Sequence, residues 1–404
     1  MSILPTSATP DAGRLLAARS LRGLVDGFVS VMLAAYLVDA GFTPLEISAL
    51  ITGTLLGSAL LTLAIGLAGY RVARRRLLLW SCVLMAATGL GFASITEFWP
   101  LMVIAVVGTL NPSSGDVSVF LPIEQALVSE SVAPRDRTAL FARYNLGGLF
   151  AGAIGSLGAG LPVFVGGMVG ASRVDAQRLA FLLYAAAPLA LAWLYLGLRA
   201  GVEEAAGGRA APLRKSRAVV LRLSALFSLD SFGGGFVVQS LLALWLFHRF
   251  DLSVEVAGAV FFVAGLLSAL SQLAAPWVAA RIGLVNTMVF THLPANAFLM
   301  LAAFMPTAPL AVACLLLRMP FSSMDVPARQ SYTMAIVPPE ERAAAASVTN
   351  VPRSLASALA PLLAGAMLEA STFGWPLLVG GALKATYDIL LWFQFRSLRP
   401  EDGA

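Results

Sequence analysis

Apolar residues in this chain come in long blocks, not in the alternating or three-to-four spacing of a half-buried strand or helix. Twelve blocks can be drawn, at about 21–39, 44–66, 77–95, 100–123, 139–165, 179–198, 219–247, 256–280, 284–305, 308–330, 343–368 and 376–396. Each is long enough to cross a hydrocarbon layer of about 30 Å as a helix. A membrane β-barrel would instead show short segments of alternating polarity. The pattern predicts an all-α integral membrane protein with twelve transmembrane helices. It divides the chain into a tail (1–20), a six-helix bundle (21–199), a linker (200–218), a second six-helix bundle (219–396) and a tail (397–404).

The two bundles carry a shared stretch. Residues 122–145 laid over 327–350, a constant shift of 205, match at Pro122/Pro327, Gln125/Gln330, Val132/Val337, Pro134/Pro339, Arg137/Arg342, Ala139/Ala344 and Asn145/Asn350. An acid precedes the shared arginine in both copies, Asp136 and Glu341. A repeat of half the chain length means two homologous halves in the same orientation. Asp26 in the first block and Asp230 in the seventh correspond in the same way, at a shift of 204.

Composition agrees with the pattern. The 404 residues are 58% hydrophobic and only 12% charged, which excludes an ordinary soluble domain. The net charge of +5 raises the question of a polyanion partner, but its placement answers it. Twenty of the 27 Lys and Arg fall in alternate loops, among them Arg14, Arg19, Arg22, Arg281 and Arg329, and only Arg173, Arg178 and Arg249 lie opposite. That asymmetry predicts cytoplasmic N and C termini and no nucleic-acid partner. The first 20 residues lack an apolar core, so no cleaved signal peptide is expected. Cys82 and Cys314 stand alone in separate blocks, without metal or redox spacing.

The second block ends in Gly66-Leu67-Ala68-Gly69-Tyr70-Arg71-Val72-Ala73-Arg74-Arg75. This resembles the Gly-x-x-x-Asp-Arg-x-Gly-Arg-Arg signature of the major facilitator superfamily. Gly66, Arg71, Arg74 and Arg75 match, while Tyr70 replaces the acid and Ala73 the second glycine. A faint second copy follows the eighth block, with Arg281 and Gly283. The resemblance covers the whole chain and implies two parallel six-helix repeats related by an axis along the membrane normal. It further implies a cytoplasmic gate, assigned here to Gly66, Arg71, Arg74, Arg75, Glu124, Arg137 and Arg342.

Nine ionisable residues lie well inside the blocks: Asp26, Asp116, Arg143, Asp230, Arg318, Asp325, Arg353, Lys384 and Asp388. Each would cost about 2.5–3.5 kcal/mol at a lipid-facing helix centre, so they must face one another or water. Asp26, Asp116, Asp230, Arg318 and Asp325 fall on blocks 1, 4, 7 and 10, which in the resembled family line the central cavity. These five are the expected substrate and proton-coupling residues. Arg318 and Asp325, two turns apart, are expected to pair, and Lys384 and Asp388, at i and i+4, to neutralise each other. Blocks 4 and 10 are interrupted by Asn111-Pro112 and by Pro320 and Pro327, which free backbone groups. His292 and Asn296, at i and i+4, raise a metal or proton relay, but a single other histidine makes metal binding a poor fit.

No hydrolase, zinc-protease or phosphate-loop motif occurs, and no soluble domain is present to bind ATP. The reading is a non-enzymatic, monomeric secondary transporter of the inner (plasma) membrane, without cofactor or metal, that moves a small solute by alternating access. Proton coupling is expected, and export of an amphiphilic or cationic compound is favoured over uptake. The alternative from another class is a transporter-like receptor or assembly partner that moves no solute.

Overall fold

The computed structural model describes residues 4–68, 72–113, 118–133, 136–199, 214–338 and 341–396, and among these it is helical with no strand. Two compact units divide the chain: Met1–Gly208 with Ser253–Phe262, and Arg209–Leu252 with Val263–Ala404. The first contains α1 (Pro10–Asp39), α2 (Pro44–Ala68), α3 (Arg74–Ser94), α4 (Phe98–Val107) and α5 (Leu121–Glu130). It continues with α6 (Arg137–Leu157), a 3-10 turn, α7 (Leu161–Met168) and α8 (Arg173–Leu196). The second unit begins with α9 (Arg217–Gly235) and α10 (Gln239–Phe250); α11 (Val254–Ile282) belongs to the first unit as far as Phe262. Then come α12 (Leu284–Ala302), α13 (Ala308–Leu317), α14 (Met319–Ser322), α15 (Asp325–Ala335), α16 (Arg342–Ala370) and α17 (Trp375–Phe395).

Ten helical stretches among the described residues are long and apolar enough to cross a membrane. The other two expected spans differ for visible reasons. The fourth block is split after Val107, where Asn111-Pro112 interrupts the helix, leaving α4 with ten residues. The twelfth forms α17, a helix of 21 residues whose buried middle carries Lys384 and Asp388. Outward surfaces are apolar: Leu189 and Trp193 on α8 are each 75% exposed, while Tyr184 and Tyr195 of the same helix are buried. Water would not tolerate such faces; lipid does.

Both units pair their helices alike. In the first, α1 packs on α6 and α8, and α3 on α8; in the second, α9 packs on α16 and α17, and α12 on α17. Glycine makes the tightest of these contacts possible. A Cβ at Gly23 or Gly27 would run into the carbonyls of Gly148 or Gly152 on α6, and one at Gly155 into that of Leu24. In the second unit a Cβ at Gly235 on α9 would strike the Ser357 carbonyl on α16. Without water exclusion between lipid-embedded helices, such close backbone approach supplies the packing energy. Ser156 adds a staple, its hydroxyl donating to the carbonyls of Gly27 and Gly152 at 3.1 Å each.

The split in the fourth block is held from the side. Thr88 on α3 accepts the Thr109 N–H at 3.2 Å, and Tyr184 on α8 donates to the Thr109 carbonyl at 3.2 Å. Asn111 Oδ1 accepts from the backbone N–H and the hydroxyl of Ser113 at 3.2 and 2.8 Å. Irregular backbone at membrane depth thus finds partners within the protein. The first helix starts at Pro10, well before the apolar block at 21. Hydropathy stops at charge, but Arg19 and Arg22 are buried parts of the helix at 5% and 1% exposure.

The repeated acids anchor the start of each unit's first helix. Asp136 accepts the Ser7 hydroxyl at 2.6 Å, just before α1. Glu341 accepts the Ser216 hydroxyl and the N–H groups of Arg214, Lys215 and Ser216, just before α9. The Ser216 hydroxyl and then those N–H groups hold the Glu341 carboxyl down to about 2 from an ordinary 4.5. A depressed acid stabilises the fold above its ordinary value and loses that contribution as pH falls toward the folded one. Wild-type stability in detergent should therefore fall between about pH 4.5 and 2 through this group. Glu341→Gln should be less stable at neutral pH and converge with wild type in acid; parallel curves would refute the anchor. Gly27→Val should disrupt α1–α6 packing and lower the yield of monodisperse protein sharply, whereas Gly167→Val, with open space around it, should not.

Candidate functional site

Inside the first unit a charged cluster surrounds Glu124, the fourth residue of α5, whose first turn also holds Pro122. Arg22 of α1 pairs with Glu124, and both are essentially inaccessible. Tyr144 of α6 and Tyr195 of α8 donate their hydroxyls to the same carboxylate. Arg22 also donates to Ser118 at 3.0 Å and lies 4.9 Å over the Phe120 ring. One turn deeper, Asp26 is buried beside Arg22, Arg19 and the Asn111 side chain. A carboxylate with an arginine and two phenols satisfies its lone pairs, which is what lets a charge persist in such a place.

The second unit holds a larger network. Asp230 of α9 receives Lys384 of α17 at 2.7 Å and Arg329 of α15 at 3.3 Å. Arg329 reaches back one turn to Asp325 at 3.2 Å. One turn past Lys384, Asp388 accepts from Asn296 Nδ2 and contacts His292 Nδ1, both on α12 and both at 2.9 Å. Arg353 of α16 donates its Nε to Ser231 at 2.8 Å.

Several expectations change here. Lys384 and Asp388 do not pair with each other: α17 sends the lysine to α9 and the aspartate to α12. Asp325 pairs with Arg329 and not with Arg318, because the helix is interrupted between Arg318 and Asp325 and the two no longer share a face. Arg318 has no ion pair among the described residues, and its Nε is buried without a hydrogen bond. Arg143 Nη1 is likewise buried and unbonded. Glu124 belongs to the buried cluster and not to a gate with Arg137, whose Nε donates to the Ser129 carbonyl at 2.9 Å. Asp116, Arg71 and the side chain of Arg342 lie outside the described residues, and Gly66 falls in the last turn of α2. Arg74 pairs with Glu130 at 2.7 Å, and Arg75 donates to the Leu198 carbonyl at 2.7 Å.

The loop-by-loop count of basic residues takes Arg22 and Arg329, at the edges of their apolar blocks, as loop charges, and the structure makes them central. One signal was available. Glu124 and Arg329 are equivalent under the 205-residue shift, and Asp26 and Asp230 under 204. Each unit therefore joins its first helix to its fourth by a buried ion pair, with the signs exchanged: Arg22 to Glu124, then Asp230 to Arg329.

Two all-helical units on one plan, apolar outside and ion-paired inside, define a polytopic membrane protein of the carrier class. The chain belongs to the Major Facilitator Superfamily, whose family model matches residues 15–351 and again 231–403. It is thus a membrane transporter by family and not an enzyme. It is 25% identical to the uncharacterized membrane protein YJR124C of Saccharomyces cerevisiae, covering 96% of this chain and 94% of that one. Among solved structures it is similar to a bacterial homolog of the human lysosomal transporter Spinster in an inward-facing, occupied conformation. That likeness has TM-score 0.74 and 16% identity, over 95% of this chain and 97% of the other. It is also similar to the inward-open xylose transporter XylE of E. coli, with TM-score 0.70 and 15% identity over 94% and 96% of the chains.

Removing one partner of a buried pair strands the other charge at a cost of about 3–5 kcal/mol. Arg22→Met should therefore destabilise the purified protein by that order. Arg22→Met combined with Glu124→Gln should recover a large part of the loss. A double variant no better than the single one in thermal unfolding would show that Glu124 is not the group left stranded.

Proposed function

We propose that this protein is a proton-coupled secondary transporter of a small solute, working by alternating access in the cell's inner membrane. Twelve spans with both termini cytoplasmic complete the proposal. The observation that carries it is the buried ion pair between first and fourth helices in each unit. A passive scaffold gains nothing from charges that cost several kcal/mol each to bury. A carrier uses them, because a ligand or proton that binds one pairing better than another shifts the population between states.

Asp230 and Asp325 share one guanidinium, so a change of charge anywhere in their network alters both contacts. Together with Asp26 they are the proposed coupling acids. A cationic cargo would need a spare acid. Asp230, Asp325 and Asp388 are each held by basic side chains or an amide, and Asp26 is flanked by arginines, which weighs against that cargo. Rocking of the bundles serves import and export equally. Arg74 with Glu130, and Arg137 on the last turn of α5, are the proposed cytoplasmic closure.

Purified protein in proteoliposomes, screened against sugars, nucleosides, amino acids and organic acids with a lumenal pH dye, should show a solute whose entry moves protons. Asp230→Asn and Asp325→Asn should uncouple or abolish that movement while the protein remains folded. Solute accumulation that reaches the same level after a protonophore collapses the gradient would rule out proton coupling.

A further inference from the structure

Among the described residues, the ion-paired network of the second unit has fewer cations than carboxylates. Asp230, Asp325 and Asp388 are three buried acids, and the basic Lys and Arg side chains in ion pairs with them are two, Arg329 and Lys384. Arginine does not deprotonate in proteins, and the Lys384 amine lies 2.7 Å from Asp230. Both cations sit on Asp230 and Asp325. Asp388, with 0% exposure, is left with a neutral amide and an imidazole. A buried carboxylate without a cation is expensive. Histidine is the side chain able to supply the missing charge near neutral pH.

We propose that His292, held by Asp388, is the proton-loading site of this transporter, and that the proton binds at Nε2. The geometry assigns the atom. Nδ1 is 2.9 Å from Asp388 Oδ1, so the neutral ring donates from Nδ1 and presents Nε2 as its basic nitrogen. Asn296 occupies the other carboxylate oxygen at 2.9 Å and fixes the acid's orientation. Uptake of one proton turns a carboxylate–imidazole contact into a carboxylate–imidazolium pair and brings the network to neutrality. Lys384 and Asp388 stand one turn apart on α17, so the event reaches Asp230 through a single rigid helix.

The surrounding charges are the ones already named. On α17 Lys384 acts on both partners of the pair; from α15 Asp325 acts on His292, and from α9 Asp230 acts on Asp388. Arg329 reaches the pair only by way of those two acids. Of the other helices packed on α12 and α17, α16 brings Arg353, bonded to Ser231, and the α13–α14 junction brings Arg318. The Tyr387 and His292 rings lie nearly perpendicular with centroids 6.3 Å apart, and the Tyr387 hydroxyl stays unbonded.

The inference rests on the proton-coupled reading for its role in transport, but the titration can be read without any solute. The chain has two histidines, so 15N-histidine labelling in a His248→Gln background reports His292 alone. In lipid nanodiscs its ring nitrogens should pass from the Nδ1–H tautomer to imidazolium between about pH 5 and 9. Asp388→Asn should lower the midpoint by about one pH unit or more, and Lys384→Gln should raise it, since one removes a negative neighbour and the other a positive one. Wild-type signals that stay neutral throughout overturn the proposal, as do shifts of the same sign in both variants. A sodium-dependent rise in thermal stability that needs Asp388, with His292 neutral, would assign the missing charge to a metal cation and also overturn it. If His292 titrates as stated yet solute entry ignores the proton gradient, the transport coupling fails and the site stands. Gradient-driven entry with a silent His292 would do the opposite, keeping the coupling and removing the site.

Discussion

Charge compensation inside each unit is the constraint on which the rest of this structure depends. In the hydrocarbon region there is no water to solvate an ion, so every buried acid must find its partner within protein. The first unit meets this around Glu124 and Asp26 with Arg22, Arg19 and two tyrosines. The second meets it around Asp230 with Lys384 and Arg329. The helices carrying these groups must therefore sit at fixed distances and rotations, because a guanidinium displaced by one helical turn would leave its carboxylate stranded. Apolar surface cannot fix such a register, since lipid is as apolar as the helices it surrounds.

Close backbone packing supplies the register. Gly23 and Gly27 alternate along α1 with Arg19, Arg22 and Asp26, so the same helix meets the α6 backbone with small residues and carries Arg22 to Glu124 on α5. The bare glycine face lets α6 approach until backbones touch, which fixes the rotation of α1 and aims Arg22 at Glu124. In the second unit Gly233 and Gly235 flank Asp230 at the end of α9 and do the same against α17 and α16. Packing and electrostatics are therefore one device, since an added methyl on the small face would turn the charged face away from its partners.

Much of this was legible before any coordinates. The half-chain repeat, the helical class, the interrupted fourth and tenth spans and the family resemblance all follow from residues that must do the same thing twice. The acids before the shared arginines stood out as well, although their partners did not: Asp136 and Glu341 hold the chain entering each unit's first helix. What failed was pairing. The i, i+4 rule suggested Lys384 with Asp388, but that rule describes exposed helix faces where neighbours on one helix are the only partners available. Inside a bundle three other helices compete, and α9 and α12 win. Arg22 and Arg329 were missed because each stands at the edge of its apolar block, where an arginine is counted with the adjoining basic loop. Their fully buried positions show that a span can continue through a charge once the partner is in place.

The exchange of signs between the units carries the argument one step further. In the set around Glu124 and Asp26, two carboxylates meet two arginines, and both phenols serve only to share the load. No imidazole belongs to that set. In the second unit the same first-to-fourth-helix pairing is extended by α17 to a third acid, and the partner of that acid is a titratable ring. A network already balanced by permanent charges has no reason to respond to a proton, whereas an acid paired with an imidazole has a place for one. Duplication would have left two identical units. Putting an arginine at the position of Glu124, and a lysine, an aspartate and a histidine on α17 and α12, gives the second unit a titratable ring that the set around Glu124 lacks. A carrier driven by a gradient needs a group whose protonation favours one state over the other, and the two units offer different candidates for it.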